Sequence, residues 1–545
     1  MGKAKKICIL INHHDDIKLF SKFFLDGSDL YYKDFNVKLG LKNLNFNINE
    51  LKSKNFLNKK NNFFSYFKSN WFKDENNNDY TFFEKKFSIG NISRSYITRD
   101  LIAFLKNYYL YLQLKKNYDK VFISSHETYY FKKFANISKS KFLYYKSINS
   151  YPDLFCRDIQ TKFYHNFIKI KNYFLVFRLL QNLFRSFLAN RSLVPNDPTL
   201  KVFNKKKNFL VLNSINIFRS FYFIKPMIIK KNLPNSFRLV LKKKLIKFNL
   251  PHDFVNVFSE HVYKKLNNNL SFIFSYYLMI SEMINFYKPK TIIIPSLSTF
   301  QGVLTQYACV NQNVEVLLAI DGSNAIPFND FSFDKKFLKK NKINILAYSL
   351  EEQEYFKKFI NNDNIKLHAL PLHLNFKKNF KKKYDLVVLD YFWGFNDYSI
   401  NSKHDYSYKI LNDILTVVQN TNKKNIAIKF KKTNLKEYLM YQEFVKKNIS
   451  KSFLKLNIDF LDADFSEALN YSNIFVGHMG TSFMETIYAK KKYIMYLPIE
   501  AGYDDNYVNK YSVYINSNKI VRNLSELKQE LNSKKKIKLK EPLPG

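Results

Sequence analysis

The stretch that most constrains this chain is Tyr471–Pro498, YSNIFVGHMGTSFMETIYAKKKYIMYLP. The apolar run Asn473–Val476 has the length and content of a short buried strand. Gly477, His478, Met479 and Gly480 form a tight turn, Thr481 is suited to cap a helix, and Phe483–Lys490 has helical character. A second apolar run, Tyr493–Leu497, stops at Pro498. Strand, glycine turn, helix and strand in this order make a βαβ unit, which demands a parallel sheet. Such a turn brings main-chain N–H groups to a helix N-terminus, a place that attracts anions. The chain has 11 glycines in 545 residues, and two of them fall within four residues here. Glycine admits positive φ and lets a ligand approach the backbone. The plainer reading is a turn that needs glycine for its geometry alone, and a short glycine turn by itself does not separate the two.

A chain of 545 residues, 46% apolar and 18% aromatic, has ample material for packed interiors but is too long for one core. The formal charge is +43. That excess points to nucleic acid or an anionic membrane surface. It is nearly all lysine, however, and Asn, Phe and Tyr are inflated alongside it while glycine is scarce. An A+T-rich genome writes proteins this way, so part of the lysine stands at neutral surface positions. Weak attraction to anionic lipid headgroups remains in play. Cys8, Cys156 and Cys309 are too far apart for a zinc site or a disulfide framework, which fits a reducing cytosol. The apolar run after the basic start is too short for a signal peptide and reads as a first strand. No run approaches the roughly 18 apolar residues of a membrane span.

Taken in order, Lys6–Asn12 is a buried strand ending in His13, His14, Asp15 and Asp16, and Ile17–Phe24 is helical. Residues 26–90 read as an irregular insertion with short elements. Ser95–Lys116 is an amphipathic helix. Lys120–Ser124 is a strand ending in Ser125, His126 and Glu127, and Lys141–Lys146 is a further strand. Thr161–Ala189 is basic and aromatic; it either packs on the protein's own core or lies in a membrane interface. Asn190–Asn204, with two prolines, is a boundary. A second series follows: strands at Asn208–Asn213, Ser236–Leu241, Lys290–Pro295, Val314–Ile320, Ile343–Tyr348 and Lys366–Leu370, with helices at Val255–Tyr287, Gln301–Cys309 and Ser349–Asn361. Ser349 with Glu352 has the capping-box pattern. After the charged linker Lys377–Lys383 comes a third series: strands at Asp385–Leu389, Asn425–Lys429 and Asn457–Leu461, with helices at Tyr406–Gln419, Leu435–Lys447 and Asp464–Asn470, leading into the opening stretch. A helix from Ser525 and a Lys-rich end close the chain.

Four pieces carry a family likeness. They are Lys288-Pro289 with Pro295, the crossing INILAYSLEEQEYFKKF…IKLHALPLHLNF, the strand NIAIKFKK, and SNIFVGHMGTSFMETIYAKKKYIMY. Over roughly residues 205–520 their order resembles bacterial glycosyltransferases of the two-Rossmann (GT-B) type that build capsule and surface polysaccharide, with a C-terminal half similar to CDP-glycerol glycerophosphotransferases. The chain departs from that pattern at Asn473, where Asp is common, and at Lys492, where Pro is usual. It departs again at Asp321-Gly322, in place of His-Gly, and at Phe430-Lys431, in place of His-Pro. The resemblance implies an α/β protein with two doubly wound Rossmann-like domains and an extra N-terminal α/β region. The units expected are 1–200 (N-terminal α/β region, acceptor side or accessory), 201–375 (acceptor domain), 376–525 (nucleotide-donor domain) and 526–545 (basic tail).

It further implies that the main-chain N–H groups of Gly480, Thr481 and Ser482 hold a donor diphosphate and that Glu485 accepts from a ribose hydroxyl. Lys429 would neutralise a phosphate, and His478 would donate to the phosphate or leaving group. The plain alternatives are a capping Thr481, a solvated Glu485, one more surface lysine and a turn-filling His478. A base for the acceptor hydroxyl is sought among groups ending strands: His14, Asp15, His126 and Asp321, with His13, Asp16 and Glu127 beside them. Such groups often only satisfy turn backbone. Asp462-Ala463-Asp464 has the spacing of a DxD metal motif, but Asp464 with Glu467 reads as a capping box, and the resemblance implies no bound metal. The expected activity is metal-independent transfer of a sugar from a nucleotide-activated donor to a surface polysaccharide or lipid-linked glycan. No cofactor beyond that donor is expected. The expected setting is the cytoplasm, with peripheral contact at the anionic inner face of the cell membrane. Rival readings are a polyol-phosphate transferase, a sugar-nucleotide epimerase of the same fold, and a basic nucleic-acid-binding protein. The last is disfavoured because Arg is rare and Lys is spread along the whole chain.

Overall fold

A computed structural model gives the fold. It describes residues 6–20, 28–32, 48–51, 70–84, 86–149, 209–211, 232–287, 291–294, 300–318, 343–347, 350–357, 361–367, 382–391, 404–430, 436–478, 480–498 and 520–534, with positions 37, 41 and 67. The candidate interface helix Thr161–Ala189, the boundary Asn190–Asn204, Ser349 and Asp321 lie outside the described residues.

Among the described residues, three five-stranded sheets, every pairing parallel, form the frame. The first holds β1 (Ile7–Ile11), β2 (Asp29–Tyr32), β3 (Asn49–Glu50), β6 (Lys120–Ser124) and β7 (Phe142–Tyr145) in the order β3-β2-β1-β6-β7. A small antiparallel ribbon, β4 (Phe82–Phe83) with β5 (Phe87–Ser88), falls between β3 and β6 in the chain. The middle sheet takes β8 (Phe209–Val211), β9 (Thr291–Ile294), β10 (Glu315–Leu318), β11 (Ile343–Ala347) and β12 (Ile365–Leu367), ranked without a reversal. The third has β13 (Leu386–Leu389), β14 (Asn425–Lys429), β15 (Asn457–Leu461), β16 (Ile474–Gly477) and β17 (Lys492–Met495) in the order β15-β14-β13-β16-β17. Runs such as TIII in β9 and LVVL in β13 are buried at every position because parallel strands between helices are covered on both faces.

The chain is thus α/β, but winding order departs from expectation. The third sheet starts at its centre, runs one way and returns to the other side, the doubly wound order. The N-terminal sheet has the same order. The middle sheet, expected to be doubly wound, shows no reversal among its described strands. Strand-forming runs encode that a strand exists, and not where it inserts.

The helices that matter below are α1 (Ile89–Asn117), α2 (Tyr129–Ala135), α3 (Asn235–Lys247), α4 (His252–Tyr287), α5 (Phe300–Asn311), α6 (His404–Val418), α7 (Lys436–Ser452), α8 (Thr481–Tyr488) and α9 (Leu524–Asn532). The first and middle sheets share one buried cluster, in which α1 meets α4 through Phe104 and Phe258, ring centres 5.5 Å apart. Ile292 and Ile294 of β9 belong to that cluster. Ile293 between them, with Leu317 and Leu346, belongs to the cluster of the third sheet. Tyr355 packs against both.

Three local expectations are corrected. Ser236–Leu241 is not a strand but part of α3; the alternation in SFRLVL continues into KKKLIK, and the longer pattern has helical period. Asp464 stands at the N-cap of the short helix Phe465–Ala468 but makes no side-chain cap bond, so the capping box with Glu467 does not form. The N-cap of α8 is Gly480 rather than Thr481, which is the first helical residue. A true capping box is present at His13, whose ring accepts from the main chain while Asp16 accepts from its N–H. Lys492, where the resemblance led to a proline, ties the C-terminal helix down: its ammonium donates to the carbonyls of Glu530 and Ser533 and lies 3.3 Å from the Glu530 carboxylate.

Candidate functional site

In the third sheet the register aligns Lys429 with Leu389 on β13, and Val388 with Val476 on β16. Continued by one residue, Leu389 stands beside Gly477. Lys429, Leu389 and Gly477 therefore form a row across three strands, about 10 Å wide at roughly 4.8 Å per strand. One position further on, these strands end in Phe430, Asp390 and His478. The order reverses between β13 and β16, and open α/β sheets bind ligands at such a reversal, outside the carboxyl ends of the strands.

The turn after β16 is fixed from below. A Cβ on Gly477 would run into the Tyr493 hydroxyl and lie 3.0 Å from Leu389 Cδ1, so packing demands glycine there. Tyr493 is fully buried, and its hydroxyl donates to the carbonyl of His478. Burial pushes its phenol well above the usual range, partly offset by a hydrogen bond with the Ser482 side chain. The Ser482 hydroxyl is therefore engaged inside the fold, and its main-chain N–H remains the group at the helix start. The His478 ring meets Tyr391 edge-on at 5.6 Å, and the Tyr391 hydroxyl donates to the carbonyl of Tyr496 at 3.0 Å.

Gly480 differs from Gly477. Its backbone is extended (φ 175°, ψ −173°), and the nearest atoms to an added Cβ belong to the His478 ring, at 3.7 Å. Among the described residues, neither strain nor crowding requires glycine there. α8 closes its first turn with Phe483 N–H donating to Gly480 O at 3.0 Å. Thr481 and Ser482 occupy helix positions whose N–H groups have no intrahelical acceptor. Glu485, half-buried, follows one turn later.

On the other side of β13, Lys429 is buried and its ammonium donates to Phe430 O at 3.1 Å. The Asp390 N–H donates to Lys429 O at 3.0 Å, and the buried Asp390 carboxylate accepts from the Tyr441 hydroxyl at 3.3 Å. Sequence reasoning missed this Asp390–Tyr441 pair. The available signal was a carboxylate directly after the first apolar run of the series.

The other candidate groups gather at the reversal of the first sheet, where Asn12 Nδ2 donates to His126 O at 3.2 Å. Asp16 is wholly buried and accepts from His13 N–H, Tyr145, Ser147 and Ile148 N–H at 2.6–3.0 Å. It is a structural hub. The Asp15 N–H donates to His13 Nδ1 at 3.2 Å, and the Asp15 carboxylate accepts from Asn149 at 2.8 Å and Lys18 at 3.3 Å. The Asn149 hydrogen bond, with help from Lys18, holds this carboxyl below its usual range, which makes Asp15 a weak base. His14 Nε2 lies 3.9 Å from Asp15 Oδ1. Burial, reinforced by His14, holds the His13 ring below the usual imidazole range. His126 is exposed, its N–H donating to Ser124 Oγ at 2.9 Å. One possible ligand atom each from His13, His14 and Asp15 fall within 4.8 Å of one another. A cation there would have to compete with the Lys18 ammonium and the Asn149 amide for Asp15.

No protein-family model and no curated protein matches the sequence. Among solved structures, the chain is similar to UDP-GlcNAc 2-epimerase from Methanocaldococcus jannaschii at 14% identity and a TM-score of 0.34, covering 49% of this chain and 77% of that one. It is similar to a glycosyltransferase from Rickettsia africae at 13% identity and 0.30, covering 48% and 70%. It is also similar to UDP-GlcNAc 2-epimerase from Neisseria meningitidis bound to UDP-GlcNAc at 10% identity and 0.32, covering 54% and 79%. At TM-scores this low the likenesses carry no argument about the chemistry of this chain.

Proposed function

We propose that the chain is a nucleotide-sugar-dependent glycosyltransferase whose donor diphosphate sits at the start of α8. The observation that carries this reading is the reversal of strand order between β13 and β16. It sets a helix N-terminus, entered through Gly477–Gly480, two strands away from the cationic end of β14, with β13 between. The N–H groups of Thr481 and Ser482 would take phosphate oxygens, Lys429 would supply the opposite charge, and Glu485 would take a ribose hydroxyl. Among the described residues, only the His478 ring at 3.7 Å comes near an added Gly480 Cβ, which supports close approach of a ligand to the backbone.

In the transfer, an acceptor hydroxyl attacks the anomeric carbon while the bond from that carbon to the diphosphate oxygen breaks. The electron pair leaves on the phosphate, where fixed N–H dipoles and Lys429 stabilise it. The acceptor proton passes to a base. Of the groups at the first sheet's reversal, His14 and His126 suit that role better than Asp15, whose proton affinity is suppressed. The acceptor class is a surface polysaccharide or lipid-linked glycan, handled by an enzyme working at the inner face of the cell membrane. Among the described residues no helix is long and apolar enough to cross a membrane.

The test is a thermal-shift screen of UDP, GDP, CDP and CMP and their sugars, with Lys429→Ala and Gly480→Trp as controls. The expected result is stabilisation of the wild type by one nucleotide class and its loss in both variants. Stabilisation by none of them would sink the donor-site reading. Conversion of a nucleotide sugar to its epimer without acceptor would replace transfer by epimerisation.

A further inference from the structure

The carboxyl end of β1 gathers the atoms of a metal-ligand set. The His13 and His14 rings stack, with centroids 4.3 Å apart and 29° between their planes. The Asp15 carboxylate turns one oxygen toward each: Oδ2 lies 3.4 Å from His13 Nδ1, and Oδ1 lies 3.9 Å from His14 Nε2. Ligand atoms held at about 2.0–2.1 Å by a tetrahedral cation stand about 3.3 Å from one another. The His13–Asp15 edge already has that length. The His14–Asp15 edge is too wide by about 0.6 Å, and the His14 side chain, 26% exposed, has room to rotate. Asn149 Nδ2 donates to Asp15 Oδ2 at 2.8 Å, and an outer partner of this kind orients a ligating carboxylate. Burial, reinforced by His14, disfavours a proton on His13, which leaves the ring a lone pair for a cation. Two groups compete. The Lys18 ammonium lies 3.3 Å from Asp15 Oδ1, but its side chain is 65% exposed, and such surface pairs contribute little. The Asp15 N–H holds His13 Nδ1 at 3.2 Å; Asp15 is partly exposed, so water can take over that N–H.

We propose that His13, His14 and Asp15 bind one divalent transition cation of the Zn²⁺ class. Two imidazoles and a carboxylate suit a borderline-soft ion, whereas Mg²⁺ and Ca²⁺ call for oxygen ligands. Three protein ligands leave a position for water or a substrate oxygen. The place is apt: strand order in the first sheet reverses between β1 and β6, where open α/β sheets take their ligands. The inference departs from the metal independence that the family resemblance implies. It rests on the first sheet and not on the donor site at α8. With His14 on the cation, His126 is the imidazole left at this edge to act as base.

The test is calorimetric titration of the full chain, without a purification tag and stripped by a chelator, with Zn²⁺ and separately with Mg²⁺. One Zn²⁺ per chain should bind, and Mg²⁺ should not compete with it. His14→Ala and Asp15→Asn should each weaken Zn²⁺ binding by roughly tenfold or more. Lys18→Ala removes the competing ammonium and should tighten binding by about two- to fivefold, a gain that a purely structural cluster would not give. Co²⁺ bound to the wild type should show the strong visible absorption of a four-coordinate ion rather than the faint band of an octahedral one; this reads the site even where a variant folds poorly. Four results would overturn the proposal. These are no Zn²⁺ binding, equal competition by Mg²⁺, affinity undiminished in both His14→Ala and Asp15→Asn, and an octahedral Co²⁺ spectrum. The third would put the ion on other side chains of the protein. Unchanged affinity in Lys18→Ala would likewise count against the assigned carboxylate.

Discussion

The hydroxyl of Tyr493, deep in β17, donates to the main-chain carbonyl of His478 and so braces the turn proposed to receive a nucleotide. The same hydroxyl takes the Ser482 side chain, and its position rules out a Cβ on Gly477. Tyr493→Phe should lower stability by about 1–2 kcal/mol, the usual cost of leaving a buried carbonyl without its donor. Denaturant titration measures that cost. Nucleotide affinity, measured by calorimetry on the folded variant, should also fall; unchanged affinity would separate the turn from the ligand.

The two glycines of the turn should respond differently. Gly477→Ala forces a methyl against Tyr493 and Leu389 and should cost about 1–3 kcal/mol. Among the described residues, Gly480→Ala meets nothing nearer than the His478 ring at 3.7 Å and should stay within about 0.5 kcal/mol of wild type. If Gly480→Ala melts as early as Gly477→Ala, the space assigned to a ligand is not there.

Lys429→Met keeps the apolar stem and removes the charge. Binding of nucleoside diphosphates should weaken by about 1.5–3 kcal/mol, the range for hydrogen bonds to charged groups, while binding of the parent nucleoside should hardly change. Equal losses for both would assign Lys429 to packing.

Away from the proposed site, Asp100 on α1 joins three elements. Its carboxylate lies 2.8 Å from both His261 Nε2 and Lys265 Nζ on α4, and accepts from Tyr130 on α2 at 2.9 Å. Burial alone would raise its pKa, but Lys265 and His261 more than offset this and hold the carboxyl below the usual range. A depressed carboxylate stabilises the fold fully above the unfolded value near about 3.9, and that stability is lost as pH falls through the folded value. Asp100→Asn should cost about 3–5 kcal/mol at neutral pH. The gap to wild type should narrow in acid below pH of about 4, which parallel urea titrations at the two pH values would show.

Much of the third sheet was legible because its strands are unbroken apolar runs bounded by polar turns. The predicted strand Asn425–Lys429 and the observed β14 coincide. The helix expected at Tyr406–Gln419 spans His404–Val418. Sequence reasoning failed where the decisive information is not local. SFRLVL has strand alternation over six residues, and only the lysine-rich continuation makes it helical. Asp464 has the residue type and spacing for a capping box, yet its side chain makes no such bond. Asp390 meets Tyr441 across 51 positions of sequence, a pairing that no local pattern encodes. Strand order was equally hidden: the middle and third regions show similar strand–helix alternation, yet among the described strands of these two only the third reverses.

Within β9, neighbouring isoleucines serve different masters. Ile292 and Ile294 belong to the interior shared with the N-terminal sheet, and Ile293 to the interior of the third. The middle sheet is therefore a party wall. A chain cut after residue 375 would leave one plastered side of that wall open to water, with Ile293, Leu317 and Leu346 facing out, and so would invite aggregation rather than yield a tidy half-protein.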